Sequence, residues 1–155
     1  MGNPTGQGAE DIVITMYPAG AESVLWLSDP ATELHYKRIG LGTELIERIQ
    51  QWEYAHYDLA EAGEDDLSAD DHRAELRRLD EQGAALAREL VGLFGPGVVI
   101  RLRTQLGDGE EVELRGTGKP ADEAVARRLR HTVDKRRSEW SAMMAKLRQR
   151  VDEQQ

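Results

Sequence analysis

The sequence predicts an α+β fold: an antiparallel sheet of about four strands packed on two helices, plus a long C-terminal amphipathic helix. Short runs rich in β-branched residues indicate strands near residues 12–17, 24–27, 98–105 and 111–115. Two segments between them repeat apolar residues at spacings of three and four, which is typical of helices. After Pro120 no proline or glycine follows, so one helix can continue to residue 155. We therefore expect a flexible segment at 1–10, an α+β domain at 11–118 and a helix at 119–155.

The first two predicted strands form a hairpin. Ile12, Ile14 and Met16 alternate with other residues and therefore share one face of a strand. The second run, 24–27, is short and apolar on both faces, and the turn segment 18–22 separates the two runs. Residues 28–40 have no comparable pattern, and we expect a loop there.

The first helix is predicted to begin at Thr43, whose hydroxyl can cap the first turn. Its apolar stripe comprises Leu45, Ile49, Trp52 and Leu59. His56 falls on this stripe, where we expect a hydrogen-bonded histidine at the edge of the core. The acidic segment 60–67, which contains a glycine, is predicted to be a loop.

The second helix is predicted to begin after Ser68, a capping hydroxyl with a carboxylate three residues later. Gly83 falls on the seam of a heptad-like leucine pattern and would let another backbone approach closely. The Gly95-Pro96-Gly97 sequence ends the helix near Phe94. The leucines of the seam are Leu76, Leu79, Leu86, Leu90 and Leu93.

A second hairpin is predicted from residues 98–105 and 111–115. Its first strand alternates an apolar face, Val98, Ile100 and Leu102, with a face that carries Val99, Arg101 and Arg103. We expect Leu102 to lie opposite Leu114 and Arg103 opposite Glu113. That pairing makes Gly107-Asp108-Gly109 a three-residue loop with Gly109 in the left-handed conformation.

The C-terminal helix is predicted to begin with Pro120 at its first position, followed by Asp122 and Glu123. A helix of roughly 35 residues would be about 50 Å long. A compact 155-residue domain has an expected radius of gyration of about 15 Å, which corresponds to a diameter near 40 Å. The distal end of the helix should therefore project, bend or pack on another chain. The residues predicted to mediate self-association are Trp140, Met143, Met144, Leu147 and Val151.

Composition excludes several classes of site. Without cysteine the chain can form neither disulfides nor thiolate metal sites. Its apolar stretches are far shorter than the roughly 20 residues that cross a bilayer, and residues 1–10 do not resemble a signal peptide. We expect a cytoplasmic protein with no membrane contact, no cofactor and no metal.

The charge is uneven along the chain. The net charge is −9, but residues 119–155 contain 10 Lys/Arg and 6 Asp/Glu, a net +4, which leaves −13 for the remainder. This asymmetry predicts that an acidic surface engages a basic protein partner. Calcium-loop spacing is absent from the densest acidic cluster. The predicted partner-binding residues are Glu64, Asp65, Asp66, Asp70 and Asp71.

The C-terminal helix also carries a basic run that could contact phosphate, the protein's own acidic surface or another subunit. The overall charge favours contact between this run and an acidic protein surface, and contact with nucleic acid stays open as the alternative. The candidate phosphate contacts are Arg127, Arg128, Lys135, Arg136 and Arg137.

No motif predicts catalysis. The Gly116-Thr117-Gly118-Lys119 sequence differs from a phosphate-binding loop because Glu113 replaces the first glycine and Pro120 the Ser/Thr. No G-x-S-x-G nucleophile motif is present. We therefore predict no catalytic residues and no enzyme; an enzyme whose site is assembled from residues distant in sequence stays open as an alternative.

Two stretches of the sequence resemble a pattern in small, mostly uncharacterised actinobacterial proteins, some of which are similar to immunity proteins that neutralise toxins. These stretches are residues 41–45 through Trp52, and then residues 83–90 into 95–98. The resemblance covers residues 40–100 and carries over no functional residue. With the charge asymmetry it favours a non-enzymatic protein-binding module of the immunity or inhibitor type. Two alternatives stay open: an oligomeric scaffolding subunit assembled through the C-terminal helix, and a nucleic-acid accessory protein using the basic helix.

Overall fold

A computed structural model describes residues 11–63, 65–106 and 110–155. The fold is α+β, with a five-stranded sheet and three helices in the described ranges. The predicted segment 1–10 lies outside the described residues. The elements are β1 (Ile12–Met16), β2 (Leu25–Ser28), β3 (Ala31–Glu33), α1 (Thr43–Glu61), α2 (Ala69–Phe94), β4 (Val98–Arg103), β5 (Glu111–Arg115) and α3 (Glu123–Glu153).

The sheet is mixed, so the prediction of a purely antiparallel sheet is wrong. Its strand order is β3-β2-β1-β4-β5, and β1 pairs in parallel with β4 while every other neighbouring pair is antiparallel. A parallel pair needs a long crossover, and the chain supplies one because both α1 and α2 lie between β1 and β4. The fifth strand, β3, comes from the segment predicted to be a loop, since three residues are too few to display alternation.

One face of the sheet supplies the core. The side chains of Ile12, Ile14 and Met16 on β1 are buried, as predicted, and so are those of Ile100 and Leu102 on β4. They form one cluster with the apolar stripes of α1 and α2, which therefore cover this face. Burial of this shared apolar area is the main force that fixes the two helices on the sheet.

Two helix starts differ in their capping. Ser68 caps α2 as predicted, because its hydroxyl accepts a hydrogen bond from Asp71 N at 3.1 Å. Helix α1 begins at Thr43, but its N-cap is Gly42 and no side chain caps it, so the predicted role of the Thr43 hydroxyl is wrong. At the other end of α2, Gly95 adopts a φ of 80°, which ends the helix where the sequence predicted.

The β4–β5 hairpin has the predicted faces but not the predicted register. Leu102 lies opposite Val112 rather than Leu114, and Glu113 lies opposite Arg101 rather than Arg103. A shift of two residues keeps every side chain on its original face, so the alternation of the sequence cannot distinguish these registers. The predicted three-residue loop, 107–109, lies outside the described residues.

Helix α3 begins three residues later than predicted. Pro120 is not in the helix; Asp122 is the N-cap, and its carboxylate accepts hydrogen bonds from Ala124 N and Val125 N. Pro120 instead packs against Gly95, where an added Cβ would lie 2.6 Å from the proline ring. The segment before α3 is thus held against the end of α2.

The first part of α3 crosses the amino-terminal ends of the two parallel strands. The Arg130 guanidinium donates to the carbonyl of Pro96, just before β4, at 2.7 Å. One step further along, Arg137 donates to the carbonyl of Asp11, just before β1, at 3.4 Å. None of the helices in the described ranges combines the length and low polarity needed to cross a membrane.

Candidate functional site

Helix α3 has a docked part and a part without buried side chains. The buried side chains are Val125, Ala126, Leu129 and Val133, which face α2 and the core. Within residues 138–153, all of which the structure describes, no side chain is buried. We call residues 138–153 the projecting segment. At 1.5 Å per residue the whole helix is about 46 Å long, so its distal half extends past the body that holds its first half.

The projecting segment presents an exposed apolar stripe. Trp140, Met143, Leu147 and Val151 are 46%, 44%, 44% and 54% exposed, and Met144 between them is half-buried. Spacings of three and four residues place all five on one face of the helix. The structure therefore brings together the residues predicted to mediate self-association. A contiguous apolar stripe of this kind on a surface marks an interaction site more often than a scattered residue does.

A small cavity adjoins the beginning of this stripe. It has a volume of about 220 Å³ and lies between the β2–β3 turn and α3. Pro30, Ala31 and Thr32 line one side, and four residues of α3 line the other: Arg136, Glu139, Trp140 and Met143. The apolar stripe thus continues into a recess at the point where α3 leaves the body.

The acidic cluster is used locally. Asp66 accepts a hydrogen bond from Gly63 N at 3.1 Å and so closes the turn between α1 and α2. Asp70 and Asp71 lie in the first turn of α2, where their charges interact favourably with the helix dipole. These residues and Asp65 are exposed; the remaining predicted member, Glu64, lies outside the described residues.

The five candidate phosphate contacts separate into two groups. Lys135 and Arg136 form ion pairs with Glu139 at 4.0 and 3.5 Å, and Arg137 binds the Asp11 carbonyl. Arg127 and Arg128 instead point to a cleft that they share with Lys37 and Arg38. Lys37 and Arg38 were not among the residues predicted from the sequence. Two adjacent cations in a loop are a visible signal, but they lie about ninety residues from Arg127 and Arg128 in the chain, so the sequence does not indicate that the pairs meet.

His56 differs from its prediction. It packs edge-on against Trp52, with ring centroids 4.7 Å apart, but its buried Nε2 has no hydrogen-bond partner among the described residues. Burial lowers the pKa of His56 below its ordinary value of 6.5, and the nearby Asp80 carboxylate offsets part of this effect. Its ring packs against Trp52, and within the described residues no hydrogen bond joins its Nε2 to another side chain.

A groove of about 460 Å³ runs between α1 and α2 near Trp52 and Leu86. Arg48 of α1 and Glu89 of α2 bridge it through two hydrogen bonds of 2.7 Å. This pairing lowers the pKa of Glu89 and raises that of Arg48. The charges of Arg48 and Glu89 satisfy each other, and the other polar side chains that line the groove are Gln51, Gln82 and Arg78, which is paired with Glu75.

The sheet face opposite α1 and α2 carries aromatic side chains that sequence analysis did not single out. Tyr17 and Trp26 stack with centroids 6.2 Å apart, and the Arg103 guanidinium lies 4.2 Å from the Tyr17 ring centre. The Tyr17–Trp26 contact spans the antiparallel β1–β2 pair and the Arg103–Tyr17 contact spans the parallel β1–β4 pair, and they stabilise the sheet by about 0.5–1 kcal/mol each.

No group of three or more metal-ligating side chains comes together within residues 11–63, 65–106 and 110–155. The apolar stripe of α3 and the cleft at Arg127 and Arg128 are two exposed surfaces whose side chains are not accounted for by packing within the described residues. Comparisons with protein-family models, with curated proteins and with solved structures found no match for this chain.

Proposed function

We propose that the protein is a non-enzymatic protein-binding module that assembles with a second copy of itself through the projecting segment of α3. The observation that carries this proposal is the exposed stripe from Trp140 to Val151, in which four of the five large apolar side chains are 44–54% exposed. Burying such side chains is worth about 1.5–3 kcal/mol each when complete, which is a substantial driving force for a short helix.

The order of side chains along the stripe favours antiparallel pairing of two copies. If the two helices cross midway between residues 145 and 146, Trp140 of one copy lies level with the partner's Val151. Met144 then lies level with the partner's Leu147. The layer of Trp140 and Val151 combines a large with a small side chain, and the layer of Met144 and Leu147 combines two of similar size. Layers of similar total volume keep the two helices evenly spaced. A two-fold axis relates the copies, as in most homodimers.

Charge also favours the antiparallel arrangement over a parallel one. Arg148 and Arg150 are exposed and flank the stripe. In a parallel pair both would lie level with the same arginines of the partner, and like charges beside the seam disfavour pairing. In the antiparallel pair they lie level with the partner's Met143 and the partner's Ser141.

The cavity beside Trp140 supports the same pairing. In the antiparallel arrangement the partner's Val151 arrives at Trp140, next to Pro30 and Thr32 of the β2–β3 turn. An apolar side chain entering that recess would extend the contact from α3 to the body. The stripe is short, so the interface falls in the size range of weak, reversible complexes, below about 1,200 Å².

Engineered disulfides test this proposal, because the chain has no cysteine of its own. We expect an equimolar mixture of Trp140→Cys and Val151→Cys to form a mixed disulfide dimer under mild oxidation. We expect Val151→Cys alone to form little, because the two sulfurs would lie about 16 Å apart along the antiparallel helices. Non-reducing gel electrophoresis measures both products.

Gln149→Cys is the matched control, since residue 149 lies on the opposite face of the helix and is exposed. If Val151→Cys alone forms disulfides as readily as the mixture, the antiparallel arrangement is wrong. If neither forms more than Gln149→Cys, self-association through this stripe is wrong.

The charge distribution supports a second candidate, an immunity- or inhibitor-type protein that binds a basic partner. Asp65, Asp66, Asp70 and Asp71 are exposed on one corner of a chain whose residues outside 119–155 carry a net −13. Such a surface would accelerate association with a basic protein at low ionic strength. Affinity capture from cell extract with the wild type and with Asp65→Asn/Asp70→Asn tests this candidate. Capture of the same basic protein by both would contradict it.

A further inference from the structure

The protein has a second surface whose proposed role does not depend on self-association. Between the loop after β3 and the docked part of α3 lies an open cleft of about 500 Å³. We call it the basic cleft. Its lining consists of Lys37, Arg38, Arg127, Arg128, His131 and Thr132, with no carboxylate among them.

The loop presents its two cations from a fixed frame. Tyr36 and Ile39 are buried on either side of Lys37 and Arg38, which are exposed. The Tyr36 hydroxyl accepts a hydrogen bond from Val24 N at 2.9 Å, and Leu41 N donates to the Tyr36 carbonyl at 3.0 Å. Alternate anchoring of this kind turns Lys37 and Arg38 outward towards α3.

Glycine at position 40 lets α3 complete the cleft. Gly40 has a φ of 80°, and a Cβ added there would lie 3.0 Å from Cδ of Arg128. The arginine stem therefore packs directly on the loop backbone. This contact brings the Arg128 guanidinium to the same cleft as Arg38, although the two residues are 90 positions apart in sequence.

The cations of the cleft have no acidic partner. Within the described ranges, no carboxylate lies within 4.0 Å of Lys37, Arg38, Arg127 or Arg128 to form an ion pair. Four like charges in one cleft repel each other, in a chain that has an excess of carboxylates available to neutralise them. A bound anion would relieve this repulsion.

We propose that the basic cleft binds the phosphate chain of a compact, multiply charged ligand, of which inorganic triphosphate is the simplest form. Arginine forks match phosphate oxygens in bidentate geometry, and Lys37 and Thr132 supply further donors. A triphosphate carries about as many negative charges as the cleft has cations.

The surroundings favour a compact ligand over a nucleic acid strand. Beyond the cleft along α3, Lys135 and Arg136 are paired with Glu139, and Arg137 is bound to the Asp11 carbonyl. The basic residues that follow the cleft directly on α3, Lys135 to Arg137, are therefore all engaged within the chain. A polymer needs a continuous row of free cations to follow, because its affinity depends on many phosphate contacts.

Isothermal titration of the full chain with inorganic triphosphate at low ionic strength tests the proposal. We expect one site per chain, and a loss of about a hundredfold in affinity for Arg38→Ser/Arg127→Ser, since the variant removes two charge-assisted contacts and each is worth about a factor of ten. The matched control is Arg77→Ser/Arg88→Ser, which removes two exposed arginines of α2 that do not line the cleft. It should retain the wild-type affinity.

The free energy of unfolding without ligand shows independently whether the variant is folded. In urea at low ionic strength, without ligand, Arg38→Ser/Arg127→Ser should be at least as stable as the wild type, because it relieves repulsion. The proposal is wrong if the wild type does not bind triphosphate, or if both double variants lose affinity equally. Binding of a single-stranded oligonucleotide but not of triphosphate would also overturn it, in favour of a nucleic-acid surface.

Discussion

Trp52 sets the distance between helices α1 and α2 at Gly83. The indole Nε1 donates to the Leu79 carbonyl at 2.8 Å, which holds the ring against α2. A Cβ added at Gly83 would lie 2.8 Å from the ring. The sequence indicated a close approach at this glycine, but the group that approaches is a side chain and not a backbone.

This contact predicts opposite effects for two glycine substitutions in the same helix. Gly83→Ala should lower the free energy of unfolding by about 1–3 kcal/mol, because the displaced indole costs more than the improved helix propensity returns. Gly92→Ala, where an added Cβ meets nothing within 4 Å, should raise it by up to about 1 kcal/mol. Urea denaturation of both variants measures the difference; equal effects would show that Trp52 yields without cost.

His56 makes the stability depend on pH. Because burial lowers its pKa in the folded state, the unfolded chain takes up a proton first as the pH falls. The stability contributed by a neutral His56 is therefore present above the ordinary pKa of 6.5 and is lost progressively below it. Between pH 6.5 and 5.5 this loss is at most about 1.4 kcal/mol.

Replacing His56 by Phe should remove this part of the pH dependence while keeping an aromatic ring against Trp52. The measurement is the free energy of unfolding in urea at pH 7.5 and pH 5.5 for both proteins, values chosen to bracket the ordinary histidine pKa of about 6.5. The wild type should lose more stability on acidification than His56→Phe. An identical loss would mean that His56 is protonated as easily in the folded as in the unfolded chain.

At the scale of elements, Asp80 of α2 fixes the end of strand β4. Its carboxylate accepts hydrogen bonds from Gln105 N at 2.9 Å and from Leu106 N at 3.2 Å. These contacts hold the chain just beyond β4, and Thr104 N bonds to the Glu110 carbonyl across the hairpin. A helix side chain thus helps to set a strand register that the strand sequences alone leave undetermined.

Asp80→Ala should lower the free energy of unfolding by about 1.5–3 kcal/mol, because two backbone donors lose a charged acceptor. Glu81→Ala is the control, an exposed neighbour with the same loss of charge. Amide hydrogen exchange near residues 104–106 should become faster in Asp80→Ala and stay unchanged in Glu81→Ala. Unchanged exchange in both would show that the hairpin holds its register without the helix.

The elements that were predicted well from the sequence are those that neighbouring residues determine. Ser68 and Gly95 mark the limits of α2 through cap chemistry, and the stripe from Leu45 to Leu59 marks α1. The elements that were missed depend on distant partners. β3 exists because β2 offers it an edge, and β1 pairs with β4 only after two helices have crossed the sheet.

The same distinction holds for the surfaces of the whole molecule. The stripe from Trp140 to Val151 is periodic within one helix, and sequence alone identified it. The basic cleft combines Lys37 and Arg38 with Arg127 and Arg128, and only the folded chain brings these pairs together. Neither surface is needed to form the core. We therefore expect that assembly and ligand binding can be removed without loss of the fold.

This separation predicts that a chain ending at residue 137 keeps its fold and loses its assembly. Such a chain retains every buried residue of α3 and the contact from Arg137 to the Asp11 carbonyl. Its near-ultraviolet circular dichroism should keep the tertiary signal of Trp26 and Trp52, and its mass should be that of one chain at every concentration. Loss of cooperative unfolding would show instead that the projecting segment belongs to the folded core.

Sedimentation velocity across a wide range of protein concentration tests the central claim, assembly through the projecting segment, most directly. The wild type should shift from one chain, 17.4 kDa, towards twice that mass as concentration rises. Leu147→Glu, which places a charge in the stripe, should stay at one chain, and Gln149→Glu on the opposite face should behave as the wild type. A wild type that remains a single chain at the highest concentration, or a Leu147→Glu variant that still dimerises, would contradict the account.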